Sequence, residues 1–169
     1  MQPRLAGLVL EGLKKAHVRV IAALPDTLLK GVYEAAAKDP DFRYIPVTNE
    51  AEGASIVAGA WAGGKRAVLV MENSGLRVAC EALARLGLVN VLPVTMLMGY
   101  RGDVGERFHW GVNHGITMEP LLHALRIPYL MVEREEDIVS SVGRGVVHAV
   151  NSQYHSAIVF RHPLVGAKE

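Results

Sequence analysis

One cysteine, almost no net charge and no long apolar run bound this 169-residue sequence before any motif is considered. With Cys80 alone, neither an internal disulfide nor a cysteine-based zinc cluster is available, and a reducing cytoplasm is the expected setting. Lysine and arginine total 18 against 17 aspartates and glutamates, a net charge of +1. That balance removes the electrostatic case for a nucleic-acid partner and leaves only local sites for small anions. The stretch LAGLVLEGL is broken by Glu11 and followed by Lys14 and Lys15. It is too short to cross a bilayer and has the wrong order of charges for a secretory signal, so no membrane partner is expected. No GxGxxG follows the first strand and no GxxxxGK(S/T) occurs, which leaves the usual nucleotide readings unsupported. Internal repeats, low-complexity tracts and linkers are absent too.

Half of the residues are hydrophobic, enough for one domain over residues 1–169 and too few for two. Leu5, Leu8, Val9, Leu10 and Leu13 recur at helical spacing, and VRVIAAL (18–24) reads as a buried strand stopped by Pro25. TLLKGVYEAAAK (27–38) follows as helix, FRYIPV (42–47) as strand, the alanine- and glycine-rich stretch after Asn49 as helix and RAVLVM (66–71) as strand. LRVACEALARLG (76–87) is then helical and NVLPVTMLM (90–98) extended. EPLLHALR (119–126), IPYLMV (127–132), IVSSVGRGVVHAV (138–150) and SAIVF (156–160) close the series as helix, strand, helix and strand. Such alternation predicts an α/β three-layer sandwich, a mainly parallel sheet with helices on both faces. Between Gly99 and Thr117 the period is lost, and the glycines and charges there predict a long loop ordered by Phe108 and Trp110.

Ligands of parallel sheets sit beyond the carboxyl ends of the strands, where three loops carry the informative residues: Pro25-Asp26, Asn49-Glu50 and Glu72-Asn73-Ser74-Gly75. Asn49 predicts a helix N-cap, with Glu52 at the third helical position reaching back to the cap's backbone N–H. Glu50 then falls at the first position, where an acid complements the helix dipole. Gly53, Ala54, Ala58, Gly59, Ala60, Ala62 and Gly63 leave this helix little bulk. Each glycine costs roughly 1 kcal/mol against alanine, so several together predict close approach by a partner or ligand. Asn73 or Ser74 reads as the cap of the next helix, and Asp26 as a cap after Pro25. Lys30 reads as a solvated lysine, Arg101 as an exposed turn arginine and Cys80 as a small buried hydrophobe. His109 and His114 are five apart and miss the i, i+4 zinc spacing, so no metal site is expected; they suit proton transfer or anion contacts.

The run TNEAEGASIVAGAWAGGK, the strand RAVLVM and the ENSGL after it resemble, in order and spacing, the pyrimidine-binding (PYR) domain of thiamine diphosphate enzymes. In particular they resemble the sulfopyruvate decarboxylase α subunit and the N-terminal half of phosphonopyruvate decarboxylase. LPDTLLK, GYRGD and ALRIPY extend the resemblance over nearly the whole chain. It implies a PYR-type fold that holds the pyrimidine end of thiamine diphosphate, with Glu50 as the catalytic acid, because the distance to Gly59 selects Glu50 over Glu52. Glu50 would hydrogen-bond N1′ of the aminopyrimidine and promote removal of the thiazolium C2 proton, with Asn73, Ser74 and Gly75 beside the cofactor. The implied substrate is a 2-oxoacid bearing a sulfonate or phosphonate on C3. Pro25, Asp26, Lys30, Arg101, His109 and His114 would lie on its side of the site, Lys30 and Arg101 as anion contacts. The family's Gly-Asp-Gly run and downstream Asn, which hold Mg²⁺ and the diphosphate, do not occur. The resemblance therefore implies a separate β chain that supplies them, in a hetero-oligomer. Relatives often have Gln in place of Glu72 and Gly-Asn in place of Arg77-Val78, a departure that leaves open a PYR-like structural or regulatory binding domain without catalysis.

Overall fold

Proline at the first helical position and two lysines in the last turn bracket helix α1 (Pro3–Lys15), an arrangement that suits both ends of a helix. The chain continues through β1 (Val18–Ala23), α2 (Lys30–Ala36), β2 (Arg43–Pro46), α3 (Glu50–Ala62), β3 (Arg66–Glu72) and α4 (Gly75–Leu83). It ends with β4 (Thr95–Gly99), α5 (His109–Ala124), β5 (Tyr129–Val132), α6 (Ile138–Ser152) and β6 (Ser156–Phe160). This computed structural model describes residues 1–165; the last four residues of the expected 1–169 domain lie outside the described residues.

The strands form one sheet in the order β2-β1-β3-β4-β6-β5, and every neighbouring pair is parallel. Successive residues of a strand point to opposite faces, and the core divides accordingly. Val68 and Val70 pack with α1, α2 and α6 on one face, whereas Leu69 and Met71 pack with α3, α4 and α5 on the other. The three-layer α/β expectation holds. From β1 the chain steps outward to β2 and then returns across β1 to β3, so the carboxyl ends of β1 and β3 flank the point where strand order reverses. Crevices open at such points, and this one receives the loops carrying Asp26, Glu50 and Glu72.

Several segments depart from the sequence reading. The long loop expected from Gly99 to Thr117 is half helix, since α5 begins at His109. Its glycines are packing points: a Cβ on Gly115 would lie 2.6 Å from the Gly102 carbonyl oxygen, and one on Gly111 2.8 Å from the Glu106 carboxyl carbon. Pro120 sits inside the helix on its exposed side, where water can replace the lost backbone bond. The helix expected over 76–87 ends at Leu83 and widens into a π-helical turn, Ala84–Val89. β4 starts only at Thr95, after Pro93, which has no N–H for the ladder.

His155, which the sequence reading passed over, explains the π-helical turn. It is completely buried, its Nδ1 accepts the Val94 N–H at 2.9 Å and its Nε2–H donates to the Leu83 carbonyl at 2.8 Å. Those partners fix a neutral imidazole, and burial lowers its pKa. A side chain on Gly87 would come within 2.4 Å of the ring, so the turn must carry glycine there.

Candidate active site

Asn49 is extended (φ −158°, ψ 167°) and its Oδ1 accepts the Glu52 N–H at 3.0 Å, the cap expected from sequence. The reciprocal bond differs from expectation. Glu52 Oε2 accepts from the N–H and the hydroxyl of Thr48, each at 2.7 Å, one residue before the cap, because Thr48 offers two donors where the cap offers one. These bonds hold the Glu52 carboxyl below the usual range, so its role is structural.

Glu50 opens α3 at the crevice and is only 6% exposed. Among the described residues its carboxyl has no side-chain hydrogen-bond partner. Burial pushes its pKa up, and the negative charges of Glu72 and Asp26 add to the effect. Gly75, the first residue of α4, is what admits it: a Cβ there would fall 2.4 Å from Glu50 Cγ and Oε1.

Asp26 closes the loop after β1. Its Oδ1 accepts the Leu28 and Leu29 N–H groups at 2.5 and 3.0 Å, which delays the start of α2 to Lys30, and its Oδ2 accepts the Tyr33 hydroxyl. Burial raises its pKa, aided by the Glu72 charge and opposed by those three hydrogen bonds. Burial pushes the Tyr33 phenol far up and the Asp26 contact adds to it, so Tyr33 stays a donor. Pro25 beside it is exposed.

Glu72, at the end of β3, joins the remaining groups. Oε1 accepts the Ser74 hydroxyl and meets His114 Nδ1, both at 3.0 Å, while Oε2 accepts Arg101 Nε–H at 3.1 Å. Arg101 also donates to Glu106 Oε1 at 3.2 Å and lies over the Trp110 ring, 4.8 Å from its centroid. Asn73 clamps the Arg101 backbone, donating to its carbonyl at 2.9 Å and accepting its N–H at 3.1 Å. Neither Asn73 nor Ser74 therefore caps α4 with its side chain, as the sequence had suggested. Their polar atoms turn instead to the β4 loop and to Glu72.

The structure thus gathers Asp26, Glu50, Asn73, Ser74, Gly75, Arg101 and His114. It leaves three expected residues outside this network, the first being the exposed Pro25. Lys30 is exposed and pairs with Glu34 on its own helix at 3.7 Å, and His109 is exposed at the start of α5. Arg101, read from its turn as an exposed arginine and from the resemblance as an anion contact, is partly buried and paired with two carboxylates. Glu72, Tyr33, Glu106 and Trp110 went unassigned in the sequence. Only Glu72 carried a signal, its position at a strand end before Asn-Ser-Gly. A buried acid with a raised pKa, with other carboxylates nearby, keeps its proton to higher pH than an exposed one and is suited to share it.

No family model matches the chain. It is similar to the sulfopyruvate decarboxylase subunit alpha of Methanothermobacter thermautotrophicus, 33% identical over 135 residues, covering 80% of this chain and 82% of that protein. To the same subunit of Methanococcus maripaludis it is 28% identical over 151 residues, 89% of this chain and 90% of that one. Phosphonopyruvate decarboxylase of Streptomyces viridochromogenes is 33% identical over 96 residues, 57% of this chain and 24% of that protein. Among solved structures, 2-oxoglutarate:ferredoxin oxidoreductase from Magnetococcus marinus superposes with a TM-score of 0.74 at 19% identity, over 95% of this chain and 29% of that one, a likeness of fold.

Proposed function

The chain belongs to the family of sulfopyruvate decarboxylase α subunits, and on that premise we propose that residues 1–169 are the single PYR domain of a cytoplasmic thiamine diphosphate-dependent decarboxylase. Its substrates are 3-sulfopyruvate or 3-phosphonopyruvate, and its products CO₂ and the aldehyde. The observation that carries the reading is Glu50, a buried carboxyl with no side-chain partner, a raised pKa, and a glycine where any side chain would displace it.

Such an acid fits the pyrimidine end of the cofactor, because a carboxyl whose pKa is raised by burial shares a proton with a ring nitrogen better than an exposed one. Glu50 would hold that proton, with Asn73, Ser74 and Gly75 beside it. When bound, the cofactor supplies the nucleophilic carbon and the electron sink for loss of CO₂. On the substrate side, Pro25 and Asp26 shape the loop after β1. In this reading Asp26 and the Glu72-held His114 would carry the proton that the aldehyde carbon takes in place of CO₂. His109, one turn before His114 on α5, would contribute only at the mouth of the crevice.

The relatives named as subunit alpha support an assembly with a second chain. That β chain would bring Mg²⁺ and the diphosphate site. The α3 glycines support the same reading. Gly53 is used inside the chain, where a Cβ would strike Leu69 at 2.5 Å, but a Cβ on Gly59 would meet nothing within 4 Å among the described residues, which leaves room for a partner's close approach. Among the described residues no helix is long and apolar enough to cross a membrane. Arg77 and Val78, the departure that raised a non-catalytic alternative, are exposed on α4 and leave Gly75 against Glu50, so no observation favours that alternative. Calorimetry of thiamine diphosphate with Mg²⁺ tests the division of labour. The chain alone is expected to show no micromolar binding and the chain with its β partner to bind tightly; tight binding by the single chain would contradict it.

A further inference from the structure

Three carboxyls meet at the crevice, and the donors around them set them apart. Glu50 has no side-chain hydrogen-bond partner among the described residues. Glu72 is shared among Ser74, His114 and Arg101. Asp26 takes the Leu28 and Leu29 N–H groups on Oδ1 and the Tyr33 hydroxyl on Oδ2. Hydrogen bonds to a carboxylate favour its charged form, so neighbouring acids can be held in different protonation states by their donors alone.

The two oxygens of Asp26 do different work. Oδ1 ties down the turn after β1 by satisfying two backbone donors before α2 begins at Lys30. Oδ2 has one donor among the described residues, the Tyr33 phenol. Tyr33 is 5% exposed and packs in the core on the α1 side of the sheet, so it reaches Asp26 from behind the crevice. Its ionisation is pushed far up by burial and by Asp26, which makes it a fixed donor and not a carrier of protons. The other charged groups near Asp26 come from other elements, and among the described residues none is bonded to its carboxyl. They are the Met1 amino group, which donates to the Leu28 carbonyl, Glu50 on α3 and Glu72 at the end of β3. Arg101 stops short, its Nη2 donating to the Thr27 hydroxyl at 3.4 Å, and His114 is held by Glu72. Tyr44 on β2 lies behind Tyr33.

We infer that Tyr33 is the positioning residue of Asp26, fixing Oδ2 from the core so that the carboxylate is presented to the crevice in one orientation. The inference rests on the role proposed above for Asp26 in carrying a proton to the aldehyde carbon. The division of labour within Asp26 follows from it: Leu28 and Leu29 hold the loop, and Tyr33 governs the oxygen that serves the reaction.

Tyr33→Phe removes one hydroxyl and keeps the buried ring and both Oδ1 bonds, so the variant is expected to fold. Carbon-13 NMR of the Asp26 carboxyl in the full chain should show its titration midpoint moving to higher pH, because the charged form has lost a donor. The second readout is the pH profile of kcat for 3-sulfopyruvate, taken on the chain assembled with its β partner, thiamine diphosphate and Mg²⁺. The limb that vanishes in Asp26→Asn is the limb expected to move to higher pH in Tyr33→Phe. The rate on that limb should change roughly 10-fold, the scale of one hydrogen bond to a charged group, with KM unchanged. A midpoint or limb that stays in place in Tyr33→Phe overturns the positioning role, whatever happens to the melting temperature. A midpoint that rises as expected, with wild-type rate and profile in Asp26→Asn, overturns instead the reading of Asp26 as a proton carrier.

Discussion

In the assembled enzyme, Glu50→Gln is expected to remove most C2–H exchange of the bound cofactor and to lower decarboxylation roughly 10²- to 10⁴-fold, the usual scale for loss of a positioned proton-transfer group. The same substitution is expected to stabilise the chain at neutral pH. Burial, with the charges of Glu72 and Asp26, raises the Glu50 pKa in the folded state. The folded chain then binds that proton more tightly than the unfolded chain does. Stability is accordingly greatest below the ordinary carboxylate range and falls as pH rises through the raised pKa. Glutamine cannot ionise and escapes this loss, so the variant should melt higher at pH 7 and show a flatter pH dependence. Some slope remains because the Asp26 pKa is also raised. Glu52→Gln has the opposite sign. Its carboxyl is held low by Thr48, so the wild-type contribution is present above the usual glutamate range and lost in acid, and its removal should lower stability slightly and leave exchange intact. Thermal melts between about pH 4 and pH 8, beside NMR exchange of the cofactor proton, read both effects. Equal loss of exchange in the two variants would show that the acids' roles are misassigned.

Gly75→Ala separates the position of Glu50 from its presence. The added methyl would stand 2.4 Å from Glu50 Cγ and Oε1, far inside contact distance, and a carboxyl that is 6% exposed has little room to retreat. Crowding of this kind costs about 1–3 kcal/mol, so the variant should fold and melt several degrees lower. Activity is expected to suffer more, by roughly 100-fold, because a displacement of about 1 Å at a reacting group is enough for that. Steady-state kinetics with a melting curve on the same preparation checks it. Wild-type turnover in Gly75→Ala would mean that Glu50 does not act from the position described.

The sheet was legible because buried parallel strands leave a strong trace: VRVIAAL, RAVLVM and SAIVF are apolar runs cut off by turn residues, and each is a strand. Asn49 and Glu50 were legible because a cap and the first helical position are local facts. What sequence hid was decided by contacts between distant residues. Gly111 and Gly115 read as loop residues by propensity, yet they are glycines because α5 lies against the Gly102 turn. Arg101 read as an exposed turn arginine, and nothing local signals that Glu72 and Glu106 flank it. Asn73 looked like a cap until the β4 loop supplied better partners. His155 carries no motif at all, since its donor and acceptor lie 61 and 72 residues away along the chain.

The most direct measurement is CO₂ release from 3-sulfopyruvate and from 3-phosphonopyruvate by this chain mixed with its β partner, thiamine diphosphate and Mg²⁺, with each component omitted in turn. Release is expected from at least one of the two acids, only when all components are present, and faster than from pyruvate. A stable complex that binds the cofactor and releases no CO₂ from either acid would contradict it, as would release by this chain without the partner.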